Sequence, residues 1–359
     1  MKTTRVITAA AAALLSTAAF ADGFTASGYL RTGIESVITD DGSDADPSGI
    51  FKTAATSGAG YHGGHNLGLG ADRLRVTFGY SRDNAGVKFR YQHDDFTSDW
   101  LNPDDVKFAF GYVNLFDRLL TVEAGNLNGG YTATHGDNEY AFGGRTGARI
   151  AVFPVEGLVF DAVLSTKYLK ADASGTGLHA SKEVLSASAA YTVKDVLAFQ
   201  AGYALKGEGY FGFDLLSVEN LGFTVEAKYL KDDISEKLNK KGKAVNLLSV
   251  TETVSYSIDP VKFGIVATQN LTEDNGSLAF YPYVSVGLDD VLEGLSAGID
   301  AGYVTGAKKA GADVEDTVSV TPEVTLAVAE GGKIQAYYTF SKSGDVKKHV
   351  FGLGVRYDF

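Results

Sequence analysis

The sequence predicts an all-β chain closed into a transmembrane antiparallel up-and-down β-barrel, and three observations carry that prediction. The final stretch places Phe351, Leu353, Val355, Tyr357 and Phe359 at every second position, with Gly352, Gly354, Arg356 and Asp358 between them. Period two puts one set on each face of a strand. An apolar face backed by a small or charged one suits lipid outside and water inside. The start of the chain is the second observation. Lys2 and Arg5, an apolar run from Val6 to Leu15 and the A-x-A site Ala19-Phe20-Ala21 read as a secretory signal peptide over residues 1–21. Residues 22–359 then form a single barrel domain. Composition is the third: Gly (43), Tyr (19) and Phe (21) abound, Pro is held to 6, and helical periodicity is scarce, as in a strand-and-turn protein.

Eighteen strands follow in order, each near the ~9–11 residues of a tilted membrane strand. In Phe24–Ile38, Gly28, Leu30 and Ile34 share one face and Tyr29, Arg31 and Glu35 the other. A segment rich in Gly, Asp and Ser, residues 39–72, leads to Arg73–Ser81 and Val87–His93, joined by the turn at 82–86. Alternation is clearest here: Leu74, Val76, Phe78 and Tyr80 oppose Arg73, Arg75 and Thr77, then Val87, Phe89 and Tyr91 oppose Lys88, Arg90 and Gln92. Val106–Leu115 and Leu119–Gly125 flank a tight turn at Phe116-Asp117-Arg118. Arg149–Phe153 and Leu158–Lys167 flank Pro154-Val155-Glu156-Gly157, and Lys182–Val193 and Leu197–Leu205 flank Lys194-Asp195-Val196. Tyr210–Ser217 and Gly222–Leu230 precede a charged connection, Lys231–Lys243. Ala244–Ile258 and Val261–Leu271 meet at Asp259-Pro260. Leu278–Leu288, Leu295–Val304, Thr317–Val328, Ile334–Lys342 and His349–Phe359 complete the series.

Longer and shorter connections tend to alternate, the rhythm of outer loops and periplasmic turns. An even count puts both termini on the periplasmic side, and closure removes the unpaired edges. A β-propeller would show a repeat of ~40–45 residues, and no motif recurs at that period. The short pieces Arg149–Phe153 and Tyr210–Ser217 leave sixteen strands as the alternative count. Three residues fit the pattern badly. Glu252 shares the outward parity of Val250, Val254 and Tyr256, which calls for a bulge or a subunit contact. Pro282 and Pro322 lie inside strands, and bulges are expected at both.

The leader holds two of the 32 Lys and Arg and none of the 44 Asp and Glu, so the remaining chain carries about −14. That charge is unsuited to nucleic acid. Cysteine is absent, so there is no disulfide framework. Chemical motifs fare poorly. Gly58-Ala59-Gly60-Tyr61-His62-Gly63 matches a dinucleotide fingerprint but lacks its strand-to-helix setting. Gly294-Leu295-Ser296-Ala297-Gly298 matches a nucleophile elbow but opens a strand with no helix after it. His62 and His65 supply two ligands where zinc wants three or four, and the Asp44–Gly49 stretch lacks the closing Glu of a calcium loop. No enzyme, cofactor or metal site is expected.

The informative constellation is basic. Arg31, Arg73, Arg75, Lys88, Arg90 and Lys107 fall on the non-apolar parity of the first four strands. In a dry core such a set is prohibitive, whereas facing a water-filled lumen it makes a basic pore wall. Thr77, Gln92, Thr121, Glu123, Thr224, Glu226, Lys228, Thr251 and Thr268 extend the polar inner parity.

The closing strand resembles that of Gram-negative outer-membrane β-barrels, whose C-terminal Phe is part of the signal read by the barrel-assembly machinery. The resemblance implies that Tyr357 and Phe359 carry that signal here. The third long connection, residues 126–148, holds Asp137 and Glu139. Its run Asn138-Glu139-Tyr140-Ala141-Phe142-Gly143-Gly144 resembles a loosened P-E-F-G-G of the trimeric general porins, without the proline and two residues longer. In that family the third loop enters the barrel and sets its acids against a basic wall. The resemblance therefore implies a constriction loop of Asp137, Glu139, Phe142, Gly143 and Gly144, and a homotrimer as one assembly. The leader and strand style are also similar to those of spirochaete outer-membrane barrels. These features predict a bacterial outer-membrane porin, embedded in lipid and passing small hydrophilic solutes and ions by diffusion. The competing reading is a substrate-specific channel, such as a sugar channel, with an aromatic track of Tyr29, Tyr281, Tyr283 and Tyr337, to which Trp100 adds from a loop.

Overall fold

The computed structural model describes residues 23–40, 52–53, 73–94, 105–128, 131, 145–165, 169–171, 178–180, 185–205, 207–230, 247–271, 276–306, 308–309 and 312–359. Eighteen wall strands occur in chain order. They are β1 (Phe24–Asp40), β2 (Arg73–Arg82), β3 (Ala85–Asp94), β4 (Val106–Leu115), β5 (Leu120–Leu127) and β6 (Arg145–Val155). Then come β7 (Leu158–Ser165), β8 (Leu185–Val193), β9 (Leu197–Ala204), β10 (Glu208–Leu215), β11 (Leu221–Leu230) and β12 (Leu247–Ile258). β13 (Val261–Asn270), β14 (Ser277–Gly287), β15 (Leu295–Thr305), β16 (Thr317–Ala329), β17 (Gly332–Ser343) and β18 (Val346–Asp358) close the series. Each pairs antiparallel with its neighbour in sequence, and β1 pairs with β18 from Tyr29↔Asp358 to Asp40↔Lys347. The barrel is thus closed at eighteen strands, which sets aside the count of sixteen. Of the two short pieces, Arg149–Phe153 lengthens into β6 because its ladder partners extend beyond its apolar residues, and Tyr210–Ser217 shifts two residues toward the N-terminus to become β10. The signal peptide lies outside the described residues.

The faces divide by the period of two. Leu30, Ile34, Phe160, Phe351, Leu353 and Val355 are exposed, while Glu35, Gln92, Gln200, Asp214 and Gln335 are buried. Apolar outside and polar inside is the reverse of a soluble protein and matches a wall between lipid and a wet interior. Closure is tight at the chain ends. Gly28 and Phe359 exchange backbone hydrogen bonds of 2.8 and 3.0 Å, and the Tyr357 and Phe359 rings stack at 6.5 Å.

Three expectations about irregularities need correction. Register runs unbroken through Glu252, which opposes Val225 and Ala267, so no bulge turns it inward and its carboxylate is exposed on the outer face. Neither Pro282 nor Pro322 makes a bulge. The ladder skips Tyr281–Pro282 against β15 and Thr321–Pro322 against β17, and resumes in the same register. An antiparallel residue offers its N–H to one neighbour, so each proline removes bonds on one side only. At Pro322 the gap is bridged by Thr321 Oγ1 and Thr339 Oγ1, 2.9 Å apart. Register shifts fall instead at Arg90/Tyr91, Val152/Val155 and Ala327/Ala329.

Candidate functional site

The inner face of β1, β2 and β3 carries a descending series of cations. Ladder pairing places Arg31 opposite Arg73, Tyr29 opposite Arg75 and Thr77 opposite Arg90, with Lys88 opposite Gly79. Arg73, Arg75, Arg90 and Lys88 therefore occupy successive two-residue steps from the outer end of β2 toward the turn at its other end. Barrel closure adds two cations: Arg31 opposes Arg356 on β18, which opposes Lys333 on β17. The Tyr29 ring is the platform of this cluster, with the guanidinium carbons of Arg356, Arg75 and Arg31 at 4.4, 5.2 and 5.9 Å from its centroid. Cations are attracted to the face of an aromatic ring.

Polar partners fix the remaining geometry. Arg73 Nε donates to Asp94, Arg75 Nε donates to Gln92 Oε1 at 2.8 Å, and Arg90 Nε donates to Thr77 Oγ1 at 3.0 Å. Arg356 Nη2 pairs with Asp358 Oδ1 at 2.7 Å. Arg75 and Lys88 form no ion pair among the described residues. Lys107 departs from the expected parity. Phe108, Phe110 and Tyr112 are the inward residues of β4, and Arg90 and Lys88 lie over the Phe108 and Tyr112 rings. Lys107 is the extra residue of the Arg90/Tyr91 register shift. A bulge defeats a strict count of two.

Acidic residues stand on the opposite arc. Glu208 and Asp214 on β10 are buried, and β10 lies half-way round the barrel from β1. Glu226 on β11 continues the inner row, opposite Gly212 and Thr251. Glu123, Arg149 and Asp161 form a separate buried knot on β5, β6 and β7. Arg149 Nη1 donates to Glu123 Oε2 at 2.7 Å, Arg149 Nε is 3.3 Å from Asp161 Oδ2, and Ser188 donates to Asp161.

This knot holds the start of the third long connection. Arg149 donates to Asn128 twice, from Nη1 to Oδ1 at 3.0 Å and from Nη2 to the backbone oxygen at 2.7 Å. Tyr131 donates to Glu123 Oε1 at 2.9 Å and meets the Phe153 ring edge-on at 5.1 Å. Burial, reinforced by Glu123, holds the Tyr131 phenol well above its usual range, so it stays a donor. Asn128 and Tyr131, beyond the end of β5, thus both contact side chains of the inner wall. A cavity of about 450 Å³ lies there, lined by Lys88, Tyr112, Thr121, Glu123, Tyr131 and Phe153 among others. Asp137, Glu139, Phe142, Gly143 and Gly144 lie outside the described residues, as do Trp100, His62 and His65. Arg149, Arg356 and Lys333 were not singled out from sequence. The alternation in β18 already places Arg356 inward, but only the closure register joins it to Arg31.

Three of the four tyrosines of the expected aromatic track are taken up by the wall itself. Tyr337 lies flat over Gly352, where a Cβ would come within 2.1 Å of its ring, and donates to Glu35 on the far side of β18. Tyr283 likewise lies over Gly264. Both are only 6% exposed, and Tyr29 is covered by arginines.

No family model matches the sequence, and no curated protein matches it. Solved structures do. OpdO of Pseudomonas aeruginosa superposes with a TM-score of 0.58 at 10% identity, over 94% of this chain and 97% of that one. The outer membrane protein OpdK of Pseudomonas aeruginosa gives 0.57 at 12%, over 93% and 99%. OccAB4 of Acinetobacter baumannii gives 0.55 at 12%, over 93% and 98%. The chain shares the closed β-barrel fold of these proteins. At these identities the likeness is one of fold, so the wall chemistry of this barrel has to be read from its own residues.

Proposed function

We propose that the protein is a passive outer-membrane channel for small hydrophilic solutes and ions. The reading is carried by the descending cations Arg73, Arg75, Arg90 and Lys88, set half a turn away from Glu208, Asp214 and Glu226. Barrels of this strand number leave an aqueous channel. Opposed charges on low-dielectric walls give a transverse field. Polar solutes align in such a field, whereas apolar ones must displace oriented water. The inward course of Asn128 and Tyr131 supports a constriction formed by the third connection, with Asp137 and Glu139 facing Arg31, Arg73, Arg75, Lys88 and Arg90.

A substrate-specific channel is the second reading, and the Tyr29 cluster favours it. Three guanidinium groups on one ring form a preorganised patch for a carboxylate-bearing solute. Liposome swelling separates the two. Influx of neutral sugars that falls smoothly with solute size, without saturation, supports passive diffusion. Saturation by one solute class supports the second reading, and absence of swelling contradicts both.

A further inference from the structure

Away from the basic series, the inner face of β15, β16 and β17 carries two carboxylates without a cation. Asp300 and Glu323 are 9% and 8% exposed. Glu323 opposes Gly298 across the ladder, two residues along β15 from Asp300 on the same face. No Lys or Arg pairs with either one among the described residues.

A neutral residue completes the group. Gln335 is fully buried and donates from Nε2 to Glu323 Oε2 at 2.8 Å. That bond fixes which end of the amide is which and leaves its oxygen free of Glu323. Gln335 Oε1 and Asp300 Oδ1 are buried and have no hydrogen-bond partner among the described residues. Buried oxygens of this kind are normally paired, and buried charges are paired or ligate a metal.

We propose that Asp300, Glu323 and Gln335 form a binding site for a hard divalent cation of the calcium type. The donors are all oxygen: two carboxylates and an amide carbonyl, the ligand class of such ions. Two negative charges match one divalent ion. Lumen water completes the six to eight ligands that calcium takes. The small residual exposure admits an ion but gives no open face to an ammonium-bearing solute. A bound cation would also clamp β15, β16 and β17 where Pro322 interrupts the ladder.

Terbium is a luminescent stand-in for calcium, and it can be sensitised by Tyr283 and Tyr337, which oppose Asp300 and Glu323. The full chain, refolded in detergent free of lipopolysaccharide at pH 8, is titrated with terbium and then with calcium. The expected result is tyrosine-sensitised emission that calcium displaces. Affinity should fall at least tenfold in Asp300→Asn and in Glu323→Gln, and severalfold in Gln335→Leu, which leaves both carboxylates in place. Heat-modified gel mobility verifies that each variant is folded. Equal emission from wild type and the Asp300→Asn/Glu323→Gln double variant overturns the proposal. So does a wild type whose emission and melting temperature ignore both ions, the behaviour of a carboxyl pair that only shares a proton.

Discussion

Arg149 on β6 donates from Nη2 to the backbone oxygen of Asn128 at 2.7 Å, tying the inner wall to the first residue beyond β5. Arg149 is 1% exposed and also pairs with Glu123 and Asp161. Removing one partner of a buried ionic group leaves the others uncompensated, at a cost of about 3–5 kcal/mol. Arg149→Met is therefore expected to lower the denaturation midpoint of the folded barrel and to add open-channel noise as the loop base is released. A midpoint and noise level equal to wild type would show that Arg149 anchors nothing.

The connection that starts at Asn128 should narrow the pore. Deleting residues 132–142 keeps the Asn128 and Tyr131 anchors and removes Asp137, Glu139 and Phe142. Single-channel conductance is expected to rise. Unchanged conductance would mean that this segment caps the outer surface and leaves the lumen untouched.

Glu252 faces lipid beside Val225 and Ala267 in an unbroken register. A carboxylate on the lipid face costs less than the ~2–4 kcal/mol of a midplane Arg or Lys. Glu252→Val is expected to stabilise the barrel by about 1–2 kcal/mol in urea titrations from lipid vesicles. A destabilised variant would instead indicate that the carboxylate has a protein partner there, as in a subunit contact.

The last residue closes the wall through two backbone bonds to Gly28 and a ring stacked on Tyr357. Deleting Phe359 is expected to reduce the outer-membrane level of the protein while export continues, seen as periplasmic accumulation in fractionated cells. Normal outer-membrane levels would remove Phe359 from the assembly signal.

Much of the architecture was legible because a wall between lipid and water writes its period of two into every strand. Leu353, Gly354 and Val355 alone disclose which face is which. Residues that depend on cross-strand register were not legible. Arg149, Glu123 and Asp161 meet only because the cross-strand registers of β5, β6 and β7 bring them level. Lys107 escaped the count because one extra residue shifts β4 against β3. Pro282 and Pro322 suggested bulges on local grounds, but continuous ladders on their other sides hold the register.

Planar-bilayer recording under a salt gradient distinguishes a water-filled pore whose selectivity is set by the basic wall from a closed barrel. Purified wild-type protein should insert in discrete conductance steps. Arg75→Gln with Arg90→Gln should keep those steps and move the reversal potential toward cations, since the pair supplies positive potential on the inner face of β2 and β3. Folded protein that gives no steps, or a double variant whose reversal potential equals that of wild type, would contradict the account.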